Sequence, residues 1–566
     1  MESSREDVLR GVGLQGPYYG LPPVPDTAFS PTAPAKELHS RLLERKRRLE
    51  LETLSTNALI NACASINRLP NEILVEIMIW VQIAYAGPDH LRWLTLLHVC
   101  RHWFVVASTT SKMWRILYGG DCLNYFRTAL VRSRDSPIAV MVGNPRAVPE
   151  VIELLFPHAH RVQHLWIFAV GRPDSPRLVA LLQNRMPVLE TLSVSIGKTI
   201  FDPSEEVVDL PLERFPRLRH LSVSGLYTPP STLFRQLKVL HLVGWLGLIP
   251  ELKLDSFTQI LRECVDVEEL TIRDVLCRDH DTPQQYTNFA RIAVSKLRCL
   301  HMATEAGIIK HFLSVLAIPP ATHVSIEIPV NSDVPQEELT LGLQAVMPDD
   351  RSGLSLLPHL KTATVRAFDD QRVLVAAQSA SGLDGGTQPG GLTVTLANPD
   401  GLPDVESIVL DDFVGICRDS PLEELRIKME ADKVGHVNWR VVFAHFPKLK
   451  SLSVFGSGME DHAYKVFRGL NPEVAPDGTR DQDRLVCPEL RSVRIEGFDG
   501  RHVLVLPHAA RCLKARMEAL GRPVALEELS FSIVFRARSE EQFEERQREY
   551  SESLRPLVGR FSYERA

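Results

Sequence analysis

FPRLRHLSV, residues 215–223, is the stretch on which the reading of this chain turns. Its apolar residues are Phe215, Leu218, Leu221 and Val223. Leu221 and Val223 alternate with His220 and Ser222, the period-two pattern of a short, half-buried strand. Nearly the same phrase returns as FPKLKSLSV (446–454). Further copies are MPVLETLSV (186–194), FRQLKVLHL (234–242), VDVEELTI (265–272), VSKLRCLHM (294–302), LPHLKTATV (357–365), SPLEELRI (420–427), CPELRSVRI (487–495) and VALEELSF (524–531). HRVQHLWI (160–167), ATHVSIEI (321–328) and GGLTVTL (390–396) are looser versions that fill the remaining gaps. The second apolar positions are 165, 192, 221, 240, 270, 300, 324, 363, 394, 425, 452, 493 and 529. Most steps are 24 to 31 residues, with one of 19 and three of 36 to 41.

Such a recurrence marks a repeat architecture, in which each unit is too small to bury its own apolar face and must stack on its neighbours. Helical stretches fall between phrases: 176–185, 252–264, 306–316, 405–417, 437–446 and 502–520. Strand, turn, helix and return predict an α/β solenoid over 160–535, with parallel strands on the concave face and helices on the convex face. The stretches 279–285, 346–353, 379–391 and 471–483 read as exposed loops.

The phrase resembles that of leucine-rich repeats, in an irregular form. A regular repeat of that family places Asn or Cys three residues after the last apolar residue of the strand. Here those positions hold Gly197, Leu226, Trp245, Val275, Glu305, Phe368, Glu430, Ser457 and Phe498. The asparagine ladder is therefore missing, and the resemblance implies uneven curvature and irregular turns.

A different rhythm occupies 66–118, INRLPNEILVEIMIWVQIAYAGPDHLRWLTLLHVCRHWFVVASTTSKMWRILY. After Leu69-Pro70, residues Ile73, Leu74, Ile77, Met78 and Val81 share one helical face, and proline suits a first helical position. Asp89 offers a cap for a second helical run carrying Leu91, Leu94 and Leu97, followed by Val99, Trp103 and Val106. About fifty residues can barely enclose a core, so this many large apolar side chains imply that something else covers part of the surface.

This stretch resembles an F-box. The residues are Leu69-Pro70-Asn71-Glu72-Ile73-Leu74, then Val99-Cys100 with Trp103, then Trp114. The link from Gln82 to His90 is longer than the family's short turn. The resemblance implies a three-helix module that docks onto the small Skp-type adaptor of a cullin–RING ubiquitin ligase. It assigns adaptor contact or F-box core to Leu69, Pro70, Ile73, Leu74, Ile77, Val99, Cys100, Trp103 and Trp114. Plain internal packing is the other reading of each, strongest for Trp103 and Trp114; Leu69 and Pro70, at a helix start, are placed to face a partner.

Residues 1–35 carry six prolines and read as a disordered tail. Residues 36–65 read as a charged leading helix with a thin stripe of Leu38, Leu42, Leu49 and Leu54. Residues 119–159 read as a connector, and 536–566 as a charged helix capping the last repeat, with Phe543, Tyr550 and Leu554 as its apolar stripe and Pro556 as its stop.

The balance of 64 basic against 70 acidic residues gives −6, which argues for neither a nucleic-acid nor a membrane partner. No apolar run reaches a membrane-spanning ~18–20 residues, the first residues form no apolar signal core, and nine scattered cysteines suggest reduced thiols. A cytoplasmic or nuclear location is expected. His158, His160 and His164 have a metal-like spacing, but no Cys or carboxylate completes the set, so they read as surface histidines. The pairs Asp349-Asp350, Asp369-Asp370 and Asp411-Asp412 are sequence neighbours, which on a strand point to opposite faces. No nucleophile, metalloprotease or dinucleotide motif is present, and no cofactor is expected.

These residues lead to a non-catalytic subunit: the F-box binds the adaptor, and the repeats hold an unknown target protein. Two other readings stand beside it. One is an interaction scaffold whose F-box-like helices cap the solenoid. The other is an enzyme with a pocket on the repeats.

Overall fold

In a computed structural model of the chain, the described residues are 35–85, 90–120, 122–196, 208–224, 229, 231–244, 254–273, 291–329, 343–368, 371–377, 390–397, 408–429, 439–455, 460–472, 485–498, 504–533 and 540–565. The tail to residue 34, Asp89, Asp369-Asp370 and the loop stretches 279–285, 379–389 and 473–483 lie outside them. The chain divides into two compact units, 1–113 and 114–566.

The first unit is helical: α1 (Ala35–Cys63), α2 (Asn71–Ala84) and α3 (Arg101–Thr109). In α1, Leu42, Leu49 and Leu54 stay exposed. Pro70 stands one residue outside α2, at its N-cap, and its carbonyl accepts the first helical bond, from the Leu74 N–H at 3.1 Å. The expected second helical run is a 3-10 helix, Arg92–His98. Its leucines explain this: Leu91, Leu94 and Leu97 recur every three residues, the period of a 3-10 turn. The core joins Leu74, Val75 and Met78 of α2 to Trp93, to Trp103, Val106 and Ala107 of α3, and to Met113. At about 1.5–3 kcal/mol for each large side chain taken out of water, this small set holds three short segments together. Two polar ties fix their register. Gln82, itself buried, donates to the Met113 carbonyl at 3.3 Å, and Trp103 Nε1 donates to Asn67 Oδ1 at 2.6 Å.

The second unit is mixed α/β around one large sheet of seventeen strands. These are β1 (Ile116–Gly119), β2 (Ile138–Val142), β3 (Val162–Val170), β4 (Thr191–Ile196), β5 (His220–Ser224), β6 (Val239–Val243), β7 (Glu269–Arg273), β8 (Cys299–Ala303) and β9 (His323–Pro329). There follow β10 (Thr362–Phe368), β11 (Gln371–Ala377), β12 (Gly391–Ala397), β13 (Glu424–Met429), β14 (Ser451–Phe455), β15 (Ser492–Phe498), β16 (Leu526–Ile533) and β17 (Val558–Arg565). Successive strands pair in parallel from β1 to β9 and from β13 to β17.

One register row crosses the whole ladder: Leu117, Val140, Leu165, Leu192, Leu221, Leu240, Leu270, Leu300, Val324, Leu392, Ala376, Ala363, Leu425, Leu452, Val493, Leu529 and Phe561. Twelve of the thirteen phrase positions lie on it. The exception is Val394, which pairs with Ile326 one step further along the same face. The ladder also runs past the expected 160–535. Residues 119–159, expected as a connector, contain β2 and two helices, and β17 follows the charged C-terminal helix.

The middle departs from chain order. β12 pairs with β9, β11 lies antiparallel between β12 and β10, and β10 pairs with β13. The two residues between β10 and β11 dictate this, because a parallel return needs a crossover of a dozen or more.

The connections carry α4 (Leu123–Arg132), α5 (Val148–Leu155), α6 (Ser175–Leu182), α7 (Leu254–Glu263), α8 (Ala306–Val315), α9 (Ile408–Cys417), α10 (Trp439–Ala444), α11 (Glu460–Leu470), α12 (Val505–Leu520) and α13 (Glu540–Leu554). Their buried residues, among them Leu178, Phe312, Phe413, Phe443 and Phe467, complete the core on the leucine side of the sheet. At the C-terminal end, Tyr550 of α13 meets Phe531 and Tyr563 at ring distances of 5.7 and 5.0 Å.

Buried arginines tie carbonyls between turns. Arg161 donates to the Leu130 and Ser136 carbonyls and to Ser133 Oγ at 2.8–3.2 Å. Arg516 of α12 donates to the carbonyls of Leu470, Val486 and Cys487 at 3.2, 2.8 and 2.7 Å. Thr322 Oγ1 does the same for Leu297, at 2.8 Å. A buried carbonyl without a donor is costly, so these forks do between neighbouring units what a regular side-chain ladder would do. No helix among the described residues is long and apolar enough to cross a membrane.

Candidate protein-docking surfaces

The first surface is on α2. Residues 100° apart on a helix cannot all face one core, and the expected face Ile73-Leu74-Ile77-Met78 is split. Leu74 and Met78 point inward with no exposed area, whereas Ile73 and Ile77 are 50 % and 36 % exposed. Trp80, three residues beyond Ile77, is 69 % exposed and extends the same outward stripe. Ile83 is exposed nearby, and Phe104 and Val105 are exposed on α3. Large apolar side chains clustered on a small unit mark an interaction surface.

The other expected residues divide. Leu69 is half-buried and Pro70 exposed at the start of α2; Val99 is 54 % exposed and Cys100 half-buried ahead of α3. Trp103 is buried, its indole N–H bound to Asn67. Trp114 falls in the second unit, buried with its ring 6.2 Å from Tyr125 and the Arg132 guanidinium 4.6 Å above it. Leu69, Pro70, Ile73, Ile77, Val99 and Cys100 thus stay at least partly open to solvent, while Leu74, Trp103 and Trp114 are packing residues. Trp80 was missed because it breaks the run of aliphatics; its i+7 spacing from Ile73 was the available signal.

The second surface is the face of the ladder opposite the leucine row, half-buried to exposed along most of its length. From β3 to β8 it is rich in imidazole and hydroxyl. His164 on β3, Thr191 on β4 and His220 on β5 are linked by hydrogen bonds of 3.0 and 3.3 Å, and His164 stacks on Trp166 at 5.4 Å. The next row repeats the order with His241, Thr271 and His301. Burial lowers the pKa of His164, His241 and His301. From β10 to β15 the same face turns ionic, with Arg366, Arg426, Lys428 and Arg494 beside Glu424 and Glu496.

The triplet 158–164 does not converge: His158 lies against Arg161, and His164 bonds Thr191. Asp349 and Asp350 pair with Lys310 and Arg291, and Asp412 is buried in α9. Burial pushes the Cys264, Cys417, Cys487 and Cys512 thiols up to about 12, far from nucleophilic thiolates. No protein-family model matches this chain, and no curated protein matches it.

Proposed function

We propose that this chain is the substrate-recognition subunit of a Skp–cullin–F-box ubiquitin ligase. Its helical unit acts as the F-box and docks on the Skp-type adaptor, and the sheet-bearing unit acts as an irregular leucine-rich-repeat solenoid that holds a target protein. The carrying observation is the outward stripe Ile73, Ile77 and Trp80, directly after Leu69-Pro70, on the helix whose opposite side supplies Leu74, Val75 and Met78 to the unit's core. Burying that stripe against a partner helix groove would supply the apolar area that α2 leaves in water. The regular ladder supports the second half of the reading, since it gives a long rigid face on which a target can be held near a charged enzyme. The contribution to catalysis is then proximity alone.

The test is co-purification of full-length protein with a Skp-type adaptor and its cullin. Wild type brings both down, while Leu69→Ala with Pro70→Ala, or removal of 66–118, brings neither. Equal recovery from all three proteins, or none from wild type, would leave an interaction scaffold without a ligase role.

A further inference from the structure

We infer that the ladder face over β10, β13, β14 and β15 binds an anionic segment of a partner protein. An acidic group of that segment, carboxylate or phosphate, seats over Ser453 between Arg426 and Arg494, and an apolar side chain lies against Phe455. This deepens the target-binding half of the proposed function and rests on it.

The register carries the inference. Arg426, Ser453 and Arg494 lie side by side in one row, so the strands that carry the two arginines flank the serine's strand at about 4.8 Å each. In the adjoining row Arg366 is directly opposite Lys428, and Lys428 is beside Phe455. Like charges placed opposite each other on a sheet are unfavourable. Among the described residues neither Arg366 nor Lys428 meets a carboxylate; Lys428 instead leans over the Phe455 ring at 5.9 Å. Phe455 is 44 % exposed. Arg426 and Arg494 are themselves exposed and pair with half-buried Glu424 at 2.6 Å and Glu496 at 3.7 Å, and ion pairs with a solvent-facing guanidinium are weak enough to exchange for a better anion.

Four cations against two anions give this patch +2, on a chain whose net charge is −6. A planar guanidinium on each flank suits a carboxylate or phosphate in two-point contact. Glu424 and Glu496 interrupt the field, which disfavours a continuous polyanion such as nucleic acid and favours a peptide with discrete charges.

The experiment measures fluorescence anisotropy of full-length protein with four labelled probes. Three are peptides with a single central Leu, flanked by Glu, phosphoserine or Gln; the fourth is a single-stranded oligonucleotide of equal charge. The Glu or the phosphoserine peptide, or both, should bind, more weakly as salt rises, and the two arms tell the anions apart. Arg426→Glu with Arg494→Glu should lose about tenfold or more. The milder pair Arg366→Gln with Lys428→Gln should lose several-fold, with an unchanged melting curve. Equal binding of the Gln peptide, tighter binding of the oligonucleotide, or wild-type affinity in both variants would overturn the inference. Adaptor co-purification by the same variants should equal wild type, so failure here is separable from failure of the ligase reading.

Discussion

Arg516 of α12 holds three carbonyls of the preceding connection, between β14 and β15, with a single buried guanidinium. No carboxylate answers its charge in those bonds, and burial lowers its pKa. Its contribution is therefore geometric: its two terminal nitrogens, fixed in one plane, meet three carbonyls at once. Arg516→Ala is expected to cost about 3 kcal/mol, and Arg516→Met nearly as much, since methionine fills the space but removes the guanidinium's bonds to the three carbonyls. Urea midpoints of the three proteins measure this. A neutral Arg516→Met would show that desolvating the guanidinium cancels the bonds it makes. Nothing in the sequence distinguishes Arg516 from the exposed Arg511 or the exposed Lys514 of the same helix, because burial is set by neighbours distant in the chain. Trp93 was hidden for the same reason, whereas Leu74 and Trp103 were visible through their spacing.

At the scale of the element, α2 separates two jobs on opposite sides of one helix. Leu74 and Met78 hold the unit together, and Ile73, Ile77 and Trp80 are left outside. Leu74→Ala should cost about 2–5 kcal/mol, as for other fully buried leucines. Ile77→Glu with Trp80→Glu should change stability by less than about 0.5 kcal/mol, because both are surface positions, yet abolish adaptor capture. Thermal melting and co-purification of the two variants together decide it: if the surface pair melts early, the stripe is core. Periodicity made the helix legible but not its polarity, since neighbours such as Ile73 and Leu74 are equally apolar. The three-residue spacing of Leu91, Leu94 and Leu97 already held the 3-10 conformation. QRVLVAA (371–377) escaped because it lacks the L-x-x-L lead-in and enters the sheet antiparallel, against the direction that the other strands set.

Across the whole ladder the leucine row was readable, since one buried position per unit repeats with the same chemistry. The opposite face was not, because its residues answer to no common burial and show their pattern only once the register is known. That pattern includes His164, His220, His241 and His301 within six adjacent strands, and it makes stability depend on pH. His164 faces Glu190, His220 and Arg115; His241 faces Glu269, His220 and His301; His301 faces Arg273 and Glu327. In all three, burial outweighs the carboxylates, so the folded pKa lies below the ordinary value of 6.5. Above pH 6.5 the histidines are neutral in both states and folding is not penalised. As pH falls through 6.5 the unfolded chain takes up protons that the folded chain refuses, and stability drops until the folded pKa values are passed. Each half-buried histidine should contribute less than the ~1.4 kcal/mol per pH unit of a whole-proton difference. Asp266, Glu268 and Glu423, whose pKa values are lowered chiefly by side-chain hydrogen bonds from Lys296, Lys238 and Lys450, act in a separate window below their ordinary carboxylate range. Urea unfolding at pH 7.5, 6.5 and 5.5 should therefore show falling midpoints for wild type. A variant with His164→Asn, His241→Asn and His301→Asn should show a flatter trend. Parallel pH profiles in the two proteins would place the titrating groups elsewhere on the molecule.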